Sequence, residues 1–496
     1  MRKRGKALSM LAAVTLLGGA IAAGTAAATT EPPGTEPEGT EAMGTEPEGT
    51  EAMGTEAMGS AAEGTEAAAE EGGPGPGAGS GADSGIEGAD LEGTTVTVIG
   101  PENSEAEAGA MIAALAEFGE ANGIDIQYTG ARDFEEQINL AVEGGNPPDI
   151  AIFPQPGKLA GFARDGSVLA IPDDVLASVS ENWAPTWMAF SNVDGTQYGV
   201  PNKSDLKSLV WYVPSRFTEL GYEVPTTLDD FYALTDQMIA DGNTPLCVGV
   251  ESGPATGWVF TDWTEELVLR NQGIDFYNQW VAHEIPFNSP EIVENMQTIA
   301  DLWNTEGAVY AAGGSITSTP FSDNAAPLVD GDCLMHRQAS FFASFFPEGT
   351  EYGEGDGQVS TFYFPSNGPE QPVLVAGTSA GAFRDAPEVW AVMQYYGSAE
   401  YANARQASQV ELAGGTGASG FLSANLNADQ SLYTDLEQQF LEVLVTGSPA
   451  GFDASDQMPG EVGSGTFWSE ATSLINGEVD AQEAADAIEE SWAALG

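Results

Sequence analysis

The feature that most narrows the fold is an alternation of strand and helix signals from residue 94 onward. TTVTVIG (94–100) is a β-branched run closed by glycine, which reads as a strand. From Ala106 to Asn122 the periodicity is helical, with Met111, Ile112, Leu115 and Phe118 as the apolar face and Gly123 as a left-handed stop. IDIQYTG is a second strand, Asp133 to Val142 a second helix, and GGNPPDIAIFP a turn entering a third strand. Such a βαβαβ run builds a mostly parallel sheet with helices on both faces. Ligands of these sheets lie beyond the carboxyl ends of the strands, which directs attention to GPENSE (100–105) and FPQPGK (153–158).

The residues before this run have another character. Arg2, Lys3, Arg4 and Lys6 precede an apolar stretch from Leu8 to Ile21, and Ala22 to Ala28 offers small-residue cleavage positions. Residues 1–30 are therefore expected to be an export signal, too short and too rich in Gly and Ala for a membrane span. No cysteine lies near it to carry a lipid, so a periplasmic, extracellular or wall-associated protein is expected. Residues 31–92 repeat short units such as TEPEG and TEAMG, then turn rich in Gly, Pro and Ala. They contain no aromatic and no basic residue and are expected to form an acidic, disordered linker.

Charge and cysteine content limit the functions open to the chain. With 14 Lys+Arg against 75 Asp+Glu, the formal net charge is -61. Nucleic acid is excluded as a partner, because binding it requires basic side chains that displace counterions. The two cysteines, Cys247 and Cys333, are expected to form a disulfide in an oxidising compartment, the alternative being two buried thiols. Two Cys and two His are too few for a structural zinc site, and neither a metal nor a cofactor is expected.

Further along, YGVP leads into the apolar strand SLVWYV, and Gly221, Pro225 and a helix capped by Thr227, with Asp230 at the capping-box position, follow. A strand is expected over 246–250, helices over about 255–305, and two final helices separated at Gly477.

These segments together resemble the family-1 extracellular solute-binding proteins of ABC importers. NPPDIAIFPQPGKLAGFARDGSVLAIPDD is similar to that family's passage from a PD-hydrophobic strand to G-x-L-x-P-L-D. YGVP…LVWYVPSRFTELGYEVPTTLDDFYAL resembles its YGVP-to-T-W-x-E-F signature, with Val213-Pro214 in place of Asn-Lys. CVGVESGPATGWVFTDWTEELVLR, CLMHRQASFF and DQMPGEVGSGTFW are most similar to the α-glucoside binders. The resemblance spans residues 94 to 496. It implies a two-lobe α/β fold of the periplasmic-binding-protein type (type II), with crossing hinge strands and a ligand cleft between the lobes. One lobe is expected from 93–202 with about 376–440, the other from about 203–375 with 441–496. A monomer that hands a small carbohydrate to the transmembrane subunits of an ABC permease is implied.

Sugars need aromatic faces for their C–H surfaces and planar polar groups for their hydroxyls. Trp468 matches the place where related maltose binders carry a stacking tryptophan at a helix start. Trp258 and Trp263 are five residues apart and cannot share a helix face, so Trp258 is assigned to the cleft and Trp263 to the core. Phe341 stands where the family commonly has tryptophan, and Trp211 lies on an apolar strand. Glu102, Lys158, Asp205, Lys207, Asp262, Arg337 and Gln338 are the polar candidates, with Thr378 from a loop-forming Gly-Thr-Ser. The cations carry more information than the acids, since four of the chain's 14 Lys+Arg already belong to the export signal. Two other functions stay open: the same fold with a polyol, polyamine or peptide, and a glycoside hydrolase built on paired carboxylates among Asp262, Glu265 and Glu266. No nucleophile elbow or phosphate loop is present to support catalysis, so a non-enzymatic binding function is the expectation.

Overall fold

The computed structural model describes residues 77–413, 417–446 and 449–495. The export signal and the repeat up to residue 76 lie outside the described residues. The packed chain begins well before the expected end of the linker at 92. The amide of Gly81 donates to Asp173 Oδ1 at 3.0 Å and that of Ser84 to Asp174 Oδ1 at 2.9 Å. Ile86 and Leu91 pack against the first core. The two acids at the start of one helix thus satisfy amides that composition alone leaves without partners.

The βαβαβ run forms as expected: β1 (Thr94–Gly100), α1 (Glu105–Asn122), β2 (Ile124–Gly130), α2 (Phe134–Glu143) and β3 (Ile150–Phe153). β1 lies between β2 and β3, parallel to both. The Ser104 side chain caps α1 by accepting from the Glu107 amide, and Gly123 ends it with φ 72°. Met111 and Leu115 are buried and Phe118 stacks on Tyr395, centroids 4.1 Å apart. Ile112, placed on that face by the sequence, is 47% exposed. One residue beyond Met111 turns it about 100° off the stripe.

The sheet continues through the long strand Val373–Ala382, antiparallel to β3, which also pairs with Gly199–Leu206 and Ala450–Phe452. A second sheet is ordered Ser360–Tyr363, Leu209–Tyr212, Met335–Arg337, Leu246–Cys247, Val309–Tyr310. The strand expected over 246–250 ends at Cys247. Beyond it the amides of Val248 and Val250 donate to the carbonyls of Tyr310 and Ile316, the latter at the start of a 3-10 turn, Ile316–Ser318. The helical region is three helices, Trp258–Gln272, Ile274–Val281 and Pro290–Asn304, divided at Gly273 (φ 81°) and near His283 (φ 58°). The two final helices, Trp468–Ile475 and Ala481–Ala493, flank Gly477 and are preceded by a π-helical turn, Val462–Phe467.

One core cluster holds Trp183 and Trp390 and extends to Trp211 and Cys247 of the second sheet, another holds Trp280, Phe287 and Phe467, and a smaller one gathers Phe134, Phe153 and Leu159 against the first sheet. The chain passes between the two lobes three times. Gly199–Leu206 in the first sheet runs through Lys207 and Ser208 into Leu209–Tyr212 in the second. Ser360–Tyr363 leads back to Val373–Ala382, and Ala450–Phe452 leads into the final helices. Cys247 and Cys333 are joined, with Cα atoms 5.4 Å apart. Alkylation of the denatured, unreduced protein should therefore label neither cysteine and, after reduction, both. Labelling of both without reductant would refute the bridge.

Candidate functional site

A cavity of about 460 Å³ opens where the crossing strands meet the carboxyl ends of the first sheet. Glu102 enters it just beyond β1 and Gln155 just beyond β3. Lys203, Asp205 and Lys207 project from the first crossing strand, Thr378 from the long strand, and Asp453, Ser455 and Asp456 from the third crossing. Trp258 and Asp262 come from one helix start, Trp468 from another, and Phe341 from the turn after Met335–Arg337. The two helix starts approach closely at Gly257, φ 116°, where an added Cβ would meet the Trp468 carbonyl at 2.2 Å. Only glycine accommodates both that angle and that contact.

The walls combine aromatic and charged surface. Trp258 lies 5.1 Å from Phe321 and 6.1 Å from Phe341, centroid to centroid. The ammonium of Lys203 stands 5.4 Å from the Phe341 ring and that of Lys207 5.8 Å from Trp258. Glu102 is held by Lys203 at 3.0 Å and Arg405 at 2.6 Å. Burial drives its carboxyl up, but the two cations outweigh burial and keep it below the ordinary range. Burial likewise opposes the charge on Lys207. Asp262 at 2.8 Å and Asp453 nevertheless hold its ammonium well above the usual lysine range. Burial and then Asp453 push the Asp456 carboxyl well above the ordinary carboxylate range.

Among the described residues, Asp262, Glu265 and Asp453 bring carboxylate oxygens within 4.8 Å of one another, as a cation site would. The Lys207 ammonium takes that place, and Glu265 accepts the amides of Ala454 and Ser455 at 3.0 Å each. Three polar atoms of the lining are buried without a partner: Asp205 Oδ1, Gln155 Oε1 and Trp468 Nε1. Buried polar atoms are nearly always hydrogen-bonded, so these two acceptors and one donor, set in the cavity wall, are exceptions among the described residues.

Of the residues singled out in the sequence, Trp468, Trp258, Phe341, Glu102, Asp205, Lys207, Asp262 and Thr378 line this cavity. Trp263 is in the core. Lys158 lines an adjoining cavity instead. Trp211, Arg337 and Gln338 do not reach the cleft. Trp211 is fully buried against Phe342 and Phe346 and donates its Nε1 to the Gln338 carbonyl at 2.9 Å. Arg337 is drawn behind the wall to Asp262 (3.1 Å) and Glu266 (2.6 Å). The Gln338 Oε1 accepts the Ala339 amide at 2.8 Å and so turns back on its own backbone. His336 packs beside its strand, and burial pushes its imidazole down to about 4, with the Cys247 carbonyl as partner at 2.9 Å.

Sequence reasoning missed Lys203, although it shares a strand face with Asp205 and Lys207, and the period of two points to it. Asp453 and Asp456 had no such signal among 75 acids.

Two lobes, three chain crossings and a cleft between them define a two-lobe solute-binding protein. Its relatives agree with that class. The sequence profile of the bacterial extracellular solute-binding protein family matches residues 102–403, and the chain belongs to that family. The osmoprotective compounds-binding protein GgtB of Synechocystis is 39% identical over 385 residues, 76% of this chain and 88% of the relative. The alpha-glucosides-binding periplasmic protein AglE of Rhizobium meliloti is 35% identical over 420 residues, 82% of this chain and 88% of the relative. Among solved structures, the bacterial solute receptor AcbH, with its exclusive preference for β-D-galactopyranose, superposes with TM-score 0.67 at 18% identity, covering 81% of this chain and 99% of its own. Maltose-bound MalE3 of T. maritima superposes with TM-score 0.61 at 15% identity, covering 81% and 100%. The family is one of binding receptors. Among the described residues no helix is long and apolar enough to cross a membrane.

Proposed function

We propose that the protein captures an α-glucoside or other small oligosaccharide in the cleft and delivers it to the permease of an ABC importer, without chemical change. The observation that carries this reading is the lining itself. Trp258, Phe341 and Trp468 supply apolar faces, and Glu102, Gln155, Asp205 and Thr378 supply polar side chains around the same cavity. Sugar rings present both kinds of surface. The α-glucoside-binding relative supports the cargo class. The higher identity to an osmoprotectant binder favours a second reading, in which the cargo is a small polyhydroxylated osmoprotectant.

Because a ligand that binds only the folded state stabilises it by mass action, a thermal-shift series separates the possibilities. At one hundred times the Kd, stabilisation is about 2.7 kcal/mol, enough to move the melting temperature by several degrees. Maltose, trehalose or sucrose should produce that shift and be recovered intact. A shift confined to polyols would favour the osmoprotectant. Shifts with polyamines or peptides alone would overturn the carbohydrate assignment, and sugar hydrolysis would overturn the non-enzymatic one.

A further inference from the structure

The Glu102 carboxylate, which enters the cleft just beyond β1, is gripped by two cations of different standing. Its Oε1 accepts from the Lys203 ammonium at 3.0 Å and its Oε2 from the Arg405 guanidinium at 2.6 Å. Lys203 lines the cavity beside it. Arg405 does not: it sits on the helix Ala399–Leu412, fully buried behind the wall.

Arg405 is itself firmly placed. Its Nη1 donates to the Tyr401 hydroxyl at 3.0 Å, one turn earlier on the same helix, and its guanidinium lies 4.5 Å from the Phe421 ring centroid. The Glu102 backbone is fixed as well, its carbonyl accepting from the Tyr128 hydroxyl at 2.9 Å.

Local charge explains why a second cation is needed. Lys203 also stands 3.6 Å from Asp205, and its charge is felt by Glu107. Three carboxyls therefore share one lysine, and a carboxyl taken out of water without a cation of its own favours its protonated form. Burial lifts Glu107 and Asp205 above the ordinary carboxylate range. Glu102 alone of the three is held below that range, and Glu102 is the one that Arg405 bonds.

We propose that Arg405 is a positioning residue for the cleft: from outside the cavity it fixes the Glu102 carboxylate, charged and in one orientation, as an acceptor for hydroxyls of the cargo. This role rests on the carbohydrate reading above. Each carboxylate oxygen accepts more than one hydrogen bond, so Glu102 keeps capacity for a ligand while bonded to both cations.

A double-mutant cycle read by calorimetric titration of the exported chain with maltose tests the role. Arg405→Met keeps bulk and removes the charge, and it should weaken maltose binding about tenfold, the scale of one charge-assisted hydrogen bond. In the Glu102→Gln background the same substitution should cost less than about twofold, since no carboxylate is left to position. A merely structural arginine would cost the same in both backgrounds. Arg405→Lys keeps the charge without the planar fork and should recover part of the loss. Should Arg405→Met fail to fold, Tyr401→Phe releases one anchor of the guanidinium and keeps the ring, and its several-fold loss should likewise vanish in the Glu102→Gln background. Equal losses in the two backgrounds, or wild-type affinity in both Arg405→Met and Tyr401→Phe, would overturn the positioning role while sparing the carbohydrate reading. No maltose binding by the wild type would overturn the α-glucoside cargo and this role together.

Discussion

Arg337→Met is expected to lower the free energy of unfolding by about 3–5 kcal/mol, the usual cost of breaking a buried ion pair from one side. Arg337 is 1% exposed and bonds Asp262 at 3.1 Å and Glu266 at 2.6 Å. Glu266 also pairs with Arg270 and accepts the Ser208 hydroxyl at 2.8 Å, and that same hydroxyl accepts the Leu374 amide at 2.7 Å. Asp262 pairs in turn with Lys207, which reaches Asp453. One network therefore fastens all three crossings to the helix Trp258–Gln272. Methionine fills the volume but leaves two carboxylates short of charge in a dry interior. Urea titration followed by tryptophan fluorescence measures the effect, and a loss below about 1 kcal/mol would place the pair in the weak class of surface ion pairs. Arg337→Lys should recover only part of the stability, because an ammonium cannot serve both carboxylates in the fork geometry of guanidinium.

Trp468→Ala should weaken binding of the best sugar by at least about 2 kcal/mol, roughly 30-fold, the scale of a buried aromatic hot spot. Trp468 is 5% exposed, lines both cavities and leaves its indole N–H unpaired. Truncation removes a stacking face and a donor together. Trp211→Phe is the useful contrast: Trp211 is buried away from the cleft, so stability should fall while affinity holds. Wild-type affinity in Trp468→Ala, measured by calorimetry, would remove this residue from the site.

The sheet-forming half of the fold was legible because strand and helix periods differ and because Gly123 and Gly221 mark helix ends with φ 72° and 77°. The cleft was legible in part. Cations that persist in so acidic a chain, such as Lys207, drew notice, and so did tryptophans at helix starts. Alternation along a strand assigns residues to two faces without saying which face meets the cleft, and for that reason Trp211 and Arg337 were misplaced. Asp453 and Asp456 become recognisable only when the third crossing is known, and a crossing is a property of topology rather than of local sequence. The shared period of Lys203, Asp205 and Lys207 was available and went unused.

The segment at 77–92 bears on how the molecule takes load. Ala78 bridges Thr196, and Gly81 and Ser84 hold to Asp173 and Asp174, all of them in the first lobe. A pull applied at residue 77 enters the first lobe in part through Gln197, whose side chain accepts the Gly77 amide at 3.1 Å and donates to the Gly199 carbonyl at 2.8 Å, at the start of the first crossing strand. Tension on the amino end is thus passed both to the start of the helix Asp173–Ser180 and to the foot of the first crossing.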